Sequence, residues 1–250
     1  MQNRARARGL LHVSALPTFA MRWLIPRLPD FQRDHPGLEL RIVTASTPAE
    51  QFRMDVDAVI SGPSRQPGWV GTRFLGEVRL PVLSPDLMRK CPLRAPADLE
   101  RHTLLHAATL REAWPRWMAA AHVPDLTPAR DQVFEHFYFA IQAALEGLGV
   151  VMGPLALISD ELRAGRLLAP ISEPALRTRG YFVYALGGEQ RCSGRCRSSE
   201  MARCRRQLGR SRIRDLSLSK LLLTGNQSRP ETHRRCALLA EKAVPREQPR

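Results

Sequence analysis

A chain of 250 residues, 44% of them apolar, has room for one domain of ordinary size or two small ones. It has no run of about 18 apolar residues, which excludes a membrane-spanning helix. Its basic start, Met1 to Gly9, leads into no apolar stretch or small-residue cleavage site, so the cytoplasm is the expected compartment. The formal net charge of +14 invites a nucleic-acid reading, but residues 189–250 hold 16 Lys and Arg against 6 Asp and Glu, while residues 1–188 hold 22 against 18. The excess therefore belongs to the tail.

Cysteine divides the same way. Cys91 stands alone in the body, while Cys192, Cys196, Cys204 and Cys236 lie in the tail with three, seven and thirty-one residues between them. These spacings match no standard zinc pattern, and free thiols in a reducing compartment are expected, with no metal and no cofactor.

In chain order, Leu10 to Ala15 reads as a short buried strand. Pro17 suits the first turn of a helix, where its missing N–H costs nothing. Ala20, Leu24, Leu28 and Phe31 then share one helical face, widened by Phe19 and Trp23. Pro26 and Pro29 conflict with a straight helix and predict a kink or break near residue 25. Leu38 to Thr44 alternates as a strand, Ala49 to Met54 reads as a short helix, and Asp57 to Ile60 as another strand. Strand, helix, strand, helix, strand predicts a parallel sheet with covering helices.

Ser61 to Gly71 is loop, and Phe74 to Leu83 looks extended, long enough to cross between lobes. Residues 84–102 break into short helical pieces at Pro85, Pro92 and Pro96. A second βα group follows: strands over Thr103 to His106, Gln132 to Phe134 and Val150 to Met152, and helices over Arg111 to His122, Phe137 to Glu146 and Ala156 to Ala164. Leu167 to Ile171 and Tyr181 to Leu186 read as the last strands. Two α/β lobes joined by crossing segments, with a ligand-binding cleft at the ends of strands, are expected. From residue 189 onward there is no Phe, Trp or Tyr, against 15 before it, so that segment cannot bury enough area to offset chain entropy. It reads as disordered or as a non-native extension, with one short helix around Leu216 to Leu223.

The stretch Ser14-Ala-Leu-Pro-Thr-Phe-Ala-Met-Arg-Trp-Leu-Ile-Pro-Arg-Leu-Pro-Asp-Phe followed by His35-Pro-Gly-Leu-Glu-Leu-Arg resembles the start of the effector-binding domain of LysR-type transcriptional regulators. It is most similar to the branch of the glycine-cleavage and β-lactamase regulators. Asp55-Val-Asp-Ala-Val-Ile, Leu80-Pro-Val-Leu-Ser-Pro, Pro96-Ala-Asp-Leu with Thr103-Leu-Leu-His, Trp114 to Trp117, Ala143-Ala-Leu-Glu-Gly-Leu-Gly-Val-Val-Met-Gly-Pro and Glu161-Leu-Arg-Ala-Gly-Arg-Leu continue the likeness in order. It covers about residues 10–186.

The resemblance implies an α/β, two-lobed periplasmic-binding-protein-like (type II) effector domain with mixed sheets and a central cleft. Lobe I would take about residues 10–75 and 160–188, lobe II about 76–159, with 1–9 a basic leader and 189–250 an Arg-rich tail. The partners it implies are a small effector, amino-acid-like or anionic, and a second copy through the effector domains. It implies DNA only in the intact family architecture, and no membrane.

The sequence departs from the pattern in three places. Nine residues precede the first strand, so the winged helix-turn-helix and linker helix are expected to be missing. The loop after Ile60 reads Ser-Gly-Pro-Ser-Arg-Gln-Pro-Gly-Trp where the family usually carries Arg and Gly before Trp-Pro-Gly. Gly187-Gly188 leads into the tail where a Pro and a closing helix are usual. A frameshift or truncated gene would explain both ends.

The same geometry implies the site residues. Thr18, with Phe19 beside it, sits where the first strand meets a helix N-terminus, which favours carboxylates, or Thr18 is a plain helix cap. Thr44, Ser46 and Thr47 follow the second strand as a polar wall, or serve turn chemistry alone. In the second lobe His106 and Thr109 end a strand, and Glu135 and His136 precede a helix. His136 can hydrogen-bond an effector or be an ordinary interface histidine. Gly153, with Pro154, shapes the cleft backbone.

No enzymatic chemistry is expected. Ser14, Ser46, His106 and His136 form no nucleophile motif, and G-x-S-x-G, G-x-G-x-x-G, Walker and H-E-x-x-H patterns are absent. The expected function is effector sensing for a LysR-type DNA-binding transcriptional regulator. The alternatives are a free-standing small-molecule (solute) binding protein of similar fold, and nonspecific nucleic-acid binding through the basic tail.

Overall fold

The computed structural model describes residues 9–45 and 47–186. Most of the basic leader, Ser46, and the Arg-rich segment with its expected short helix and Cys192, Cys196, Cys204 and Cys236 lie outside the described residues. The chain divides into two compact units, residues 9–75 with 180–186, and residues 76–179.

In the first unit β1 (Gly9–Ala15) pairs in parallel with β2 (Leu38–Thr44) on one side and with β3 (Ala58–Ser61) on the other. β8 (Leu176–Leu186) closes the row antiparallel to β3, giving the order β2-β1-β3-β8. The helical run between β1 and β2 is unbroken but irregular: α1 (Pro17–Phe19), a π turn over Ala20–Leu24, a 3-10 turn over Ile25–Arg27, and α2 (Leu28–Asp34). Pro26 and Pro29 supply no N–H to an α ladder, and the change of winding falls where they sit. The run buries Phe19, Ala20, Trp23, Leu24 and Phe31. Phe19 stacks on Trp23 at 5.1 Å and meets Tyr181 at 4.6 Å, which makes it a packing residue. The helix α3 (Pro48–Gln51) precedes β3 and is shorter than the pattern suggested.

The second unit opens with β4 (Trp69–Val82) and continues with α4 (Pro85–Lys90), a 3-10 segment over Pro96–Arg101, β5 (Thr103–Ala107), α5 (Ala113–Ala120), β6 (Arg130–Phe134), α6 (Phe137–Leu145), β7 (Val150–Pro154) and α7 (Leu155–Arg163). Its strands run β4-β7-β5-β6, with β5 parallel to β6 and β7, and β4 antiparallel to β7. Alternate strand residues face opposite cores. Leu105, Ala107 and Val151 pack with Ile141 and Ile158, while Leu104, Val150 and Met152 pack with Trp114 and Trp117. A sheet buried on both faces explains why these strands read as continuous apolar runs.

β4 and β8 are the strands that run from one unit into the other, at Leu75–Gly76 and at Arg179–Gly180. Gly180 has φ +73°, a conformation that side chains with a Cβ rarely adopt. The return to the first unit thus occurs at Gly180, and residues 160–179 belong to the second unit instead of lobe I. The physical reason is packing: Leu167, Ala169 and Ile171 fill the second unit's cores, and Trp117 Nε1 donates to the Pro174 carbonyl at 2.7 Å. The expected strand over Leu167 to Ile171 is also corrected. Only Leu168 pairs, with Leu83, because Pro170 cannot donate to a ladder.

Two glycines at β7 set how tightly this unit packs. A Cβ on Gly149 would collide with the Thr103 carbonyl oxygen, which is backbone, whereas one on Gly153 would fall 2.6 Å from Ile158 Cδ1 and 2.7 Å from Val82 Cγ2, which are side-chain tips. Gly153→Ala is therefore expected to cost about 1–3 kcal/mol, and Gly149→Ala more than Gly153→Ala. Urea denaturation of both variants checks the order; wild-type stability in either would contradict this packing.

Candidate functional site

Parallel pairing in register brings strand ends together. Ala15, the last residue of β1, lies opposite Thr44, the last of β2, and opposite Ile60, the penultimate residue of β3. The segments that follow, Leu16 to Thr18, Ala45 to Thr47, and Ser61 to Ser64, therefore start from one sheet edge.

Thr18 stands there nearly buried, at 8% exposure, and Leu16, not Thr18, occupies the cap position of α1. Thr44 is exposed. Ser46 lies outside the described residues. Thr47 is occupied locally. Its Oγ1 accepts the Glu50 N–H at 3.3 Å while Glu50 Oε2 accepts the Thr47 N–H at 3.3 Å, a reciprocal cap on α3.

Three residues at this edge were not legible as site candidates. Ser61 ends β3 and is fully buried, its Oγ without a hydrogen-bond partner. Gln51 is fully buried too, and its Nε2 donates to the Ile60 carbonyl at 3.1 Å. Tyr184 on β8 pins the loop beyond Ser61: its hydroxyl accepts the Ser64 N–H at 2.7 Å and donates to the Gly62 carbonyl at 2.9 Å. Its ring meets Phe52 edge-on at 5.0 Å. Burial and register single these out, and neither is visible in a single sequence.

The second unit repeats the construction. Ala107 at the end of β5 lies opposite Phe134 at the end of β6, and Leu105 lies opposite Val151 of β7. Thr109, exposed on the 3-10 turn Ala108–Leu110, and Glu135 with His136, between β6 and α6, thus start from one edge. His136 is the cap residue of α6 but its side chain caps nothing; its ring stacks on Tyr138 at 5.3 Å, 17° from parallel. His106 Nε2 lies 2.6 Å from Asp131 Oδ1, so this imidazole already has a polar partner on β6. Gly153 is buried within β7, where packing against Ile158 and Val82 accounts for it.

The perturbed ionisable groups lie at the other end of β5. Asp98 is held below the usual carboxylate value by the backbone N–H groups of Arg94 and Ala95. His102, 2% exposed, sits just before β5 with neither ring nitrogen in hydrogen-bond geometry. Burial pulls its pKa below the ordinary 6.5, against the smaller opposite pull of the Pro92 carbonyl. Asp98 braces the Pro96–Arg101 turn, and both groups precede β5, at the opposite end of that strand from Thr109. Among the described residues no group of three His, Cys, Asp or Glu is placed to hold a metal ion, and no helix is long and apolar enough to cross a membrane.

Two outcomes are expected. Tyr184→Phe loses both loop hydrogen bonds, which should cost about 1–3 kcal/mol in urea denaturation and speed amide exchange at Ser64; unchanged exchange there would show that the hydroxyl does not hold the loop. The unfolded chain takes up a proton on His102 near pH 6.5 that the folded chain refuses. Its contribution is therefore complete above that pH and declines as pH falls below it. Unfolding free energies between pH 5 and 8 should fall less steeply toward acid in His102→Leu than in the wild type; parallel curves would contradict this.

The family of LysR substrate binding domains matches residues 4–191. The glycine cleavage system transcriptional activator of Escherichia coli K12 is 34% identical over 179 residues, which cover 71% of this chain and 58% of that protein. The transcriptional activator AmpR of Pseudomonas aeruginosa is 35% identical over 169 residues, covering 66% of this chain and 55% of that protein. The chain thus spans less than two thirds of the length of these curated relatives.

Among solved structures, the effector domain of AmpR from Pseudomonas aeruginosa aligns with TM-score 0.61 and 28% identity over 83% of this chain and 96% of that one. The AmpR effector binding domain from Citrobacter freundii aligns with TM-score 0.64 over 86% and 99%; at 24% identity it speaks for the fold alone. An α/β chain of two units, joined by two through-running strands and matched over residues 4–191, belongs to the LysR substrate-binding domain family.

Proposed function

We propose that this domain senses a small-molecule effector in the cytoplasm and, as part of a LysR-type regulator, passes its occupancy to DNA binding and so to transcription. The observation that carries this reading is the register of the parallel strands. In each unit it collects polar residues from separate segments at the carboxyl edge of the sheet, where open α/β sheets bind ligands. In the first unit these are Thr18 and Thr44, together with the buried Ser61 at the end of β3 and Gln51, which is hydrogen-bonded to Ile60. In the second they are Thr109, Glu135 and His136. The relatives named above, two transcriptional activators and the effector domain of one of them, agree with it. In this reading the ligand acts by binding one arrangement of the protein better than another, and catalysis has no part.

Self-association of the domain belongs to the same reading. Met21 and Ile25, four residues apart on the helical run and 42% and 50% exposed, are apolar side chains that a second copy would cover in this reading.

A thermal-shift screen of amino acids, organic acids and cell-wall fragments tests the proposal. A compound present at 100 times its Kd stabilises the folded state by about 2.7 kcal/mol. At least one compound is expected to raise the Tm, and Thr18→Val, nearly isosteric, should weaken its binding at least tenfold with little change in the unliganded Tm. A folded chain that no compound stabilises would count against sensing, and a Thr18→Val variant that binds normally would count against this edge.

A further inference from the structure

Among the described residues of the first unit three side-chain atoms are sealed from solvent and without a hydrogen-bond partner, His12 Nε2, Gln51 Oε1 and Ser61 Oγ. The last two both adjoin Ile60. The Gln51 Nε2 donation to the Ile60 carbonyl, at 3.1 Å, sets the amide beside the residue that precedes Ser61. That bond also fixes the orientation of the amide and leaves Oε1 as an acceptor only. Both side chains are fully buried.

A buried acceptor without a donor weakens a fold, and an apolar residue of similar size would pack there at less cost. His12 Nε2 shares the condition but stands singly on β1. Gln51 and Ser61 are instead linked through Ile60, which holds the Gln51 amide, precedes Ser61 and lies opposite Ala15 at the end of β1.

We infer that Gln51 Oε1 and Ser61 Oγ receive the amino group of an amino-acid-like effector. The inference rests on the effector-site reading above and adds the chemistry of one end of the ligand. An amino group brings N–H bonds to two neutral oxygen acceptors, whereas a carboxylate would meet the Gln51 oxygen with repulsion. The expected ligand class is therefore a small molecule carrying a primary amine, and the same molecule without it should be refused.

The test uses the full chain with matched probes: the proteinogenic amino acids and the carboxylic acids in which hydrogen replaces the amino group. At least one amino acid should bind tenfold or more tighter than its amine-free counterpart by titration calorimetry. Ser61→Ala should weaken that binding at least fivefold, and the unliganded Tm should hold or rise, because the substitution removes an unsatisfied buried group. Gln51→Leu should weaken it as well.

If an amine-free acid binds as tightly as its amino acid, the inference fails while the effector site stands. If Ser61→Ala lowers the unliganded Tm, the hydroxyl is satisfied within the fold or by a water, and the inference fails. If no compound of either series, nor of the wider screen, binds, the effector site itself fails and takes the inference with it.

Discussion

The pairing of Ala15 with Thr44 on one side and with Ile60 on the other is the constraint on which the rest of this structure depends. Side chains alternate along a strand, so a slip of one residue would send the buried Leu11, Val13 and Ala15 to the opposite face. The register is thus held by the core, and the register in turn decides which loop residues meet. Thr18, Thr44 and Ser61 are scattered over more than forty positions of sequence, yet they leave the sheet at one edge. In the second unit β5 plays the part of β1, with Ala107 opposite Phe134 and Leu105 opposite Val151.

Several polar or small residues near these edges have local explanations. Thr47 is used by the cap of α3, His106 by Asp131, Phe19 by the aromatic packing with Trp23 and Tyr181, and Gly153 by contact with Ile158 and Val82. Residues with a local partner lose less by never meeting a ligand. Thr18 caps no helix, Thr44 is exposed, and Gln51 and Ser61 carry unmatched atoms. The distinction rests on hydrogen-bond accounting, which asks of each buried polar group where its partner is.

Much of the fold was legible in the residues themselves. Alternation over Leu38 to Thr44, the apolar run at Val150, and glycines after α6 each reflect a local rule that tertiary packing left in force, and the elements lie within a few residues of their expected places. Two expectations yielded to forces that no local pattern records. Leu167 to Ile171 is apolar enough for a strand, but Pro170 and the competing pull of two cores leave a single bridge. The boundary near residue 160 moved to Gly180 because Trp117, more than fifty residues away in sequence, holds the Pro174 carbonyl. The candidate site is legible only as residues that the sequence places at strand ends. Ser61 and Tyr184 are not legible, since their significance comes from burial and from partners on distant strands.

The central claim is that an effector is held at the carboxyl edge of the parallel strands. Backbone amide shifts of the 15N-labelled chain, recorded with and without a compound that stabilises it, test this most directly. The account predicts the largest changes at Leu16, Thr18, Thr44, Ala45 and Ser61 to Ser64 in the first unit, and at Thr109, Glu135 and His136 in the second. Changes confined to the amino ends of the strands, around Gly9, Leu38 and His102, would contradict it.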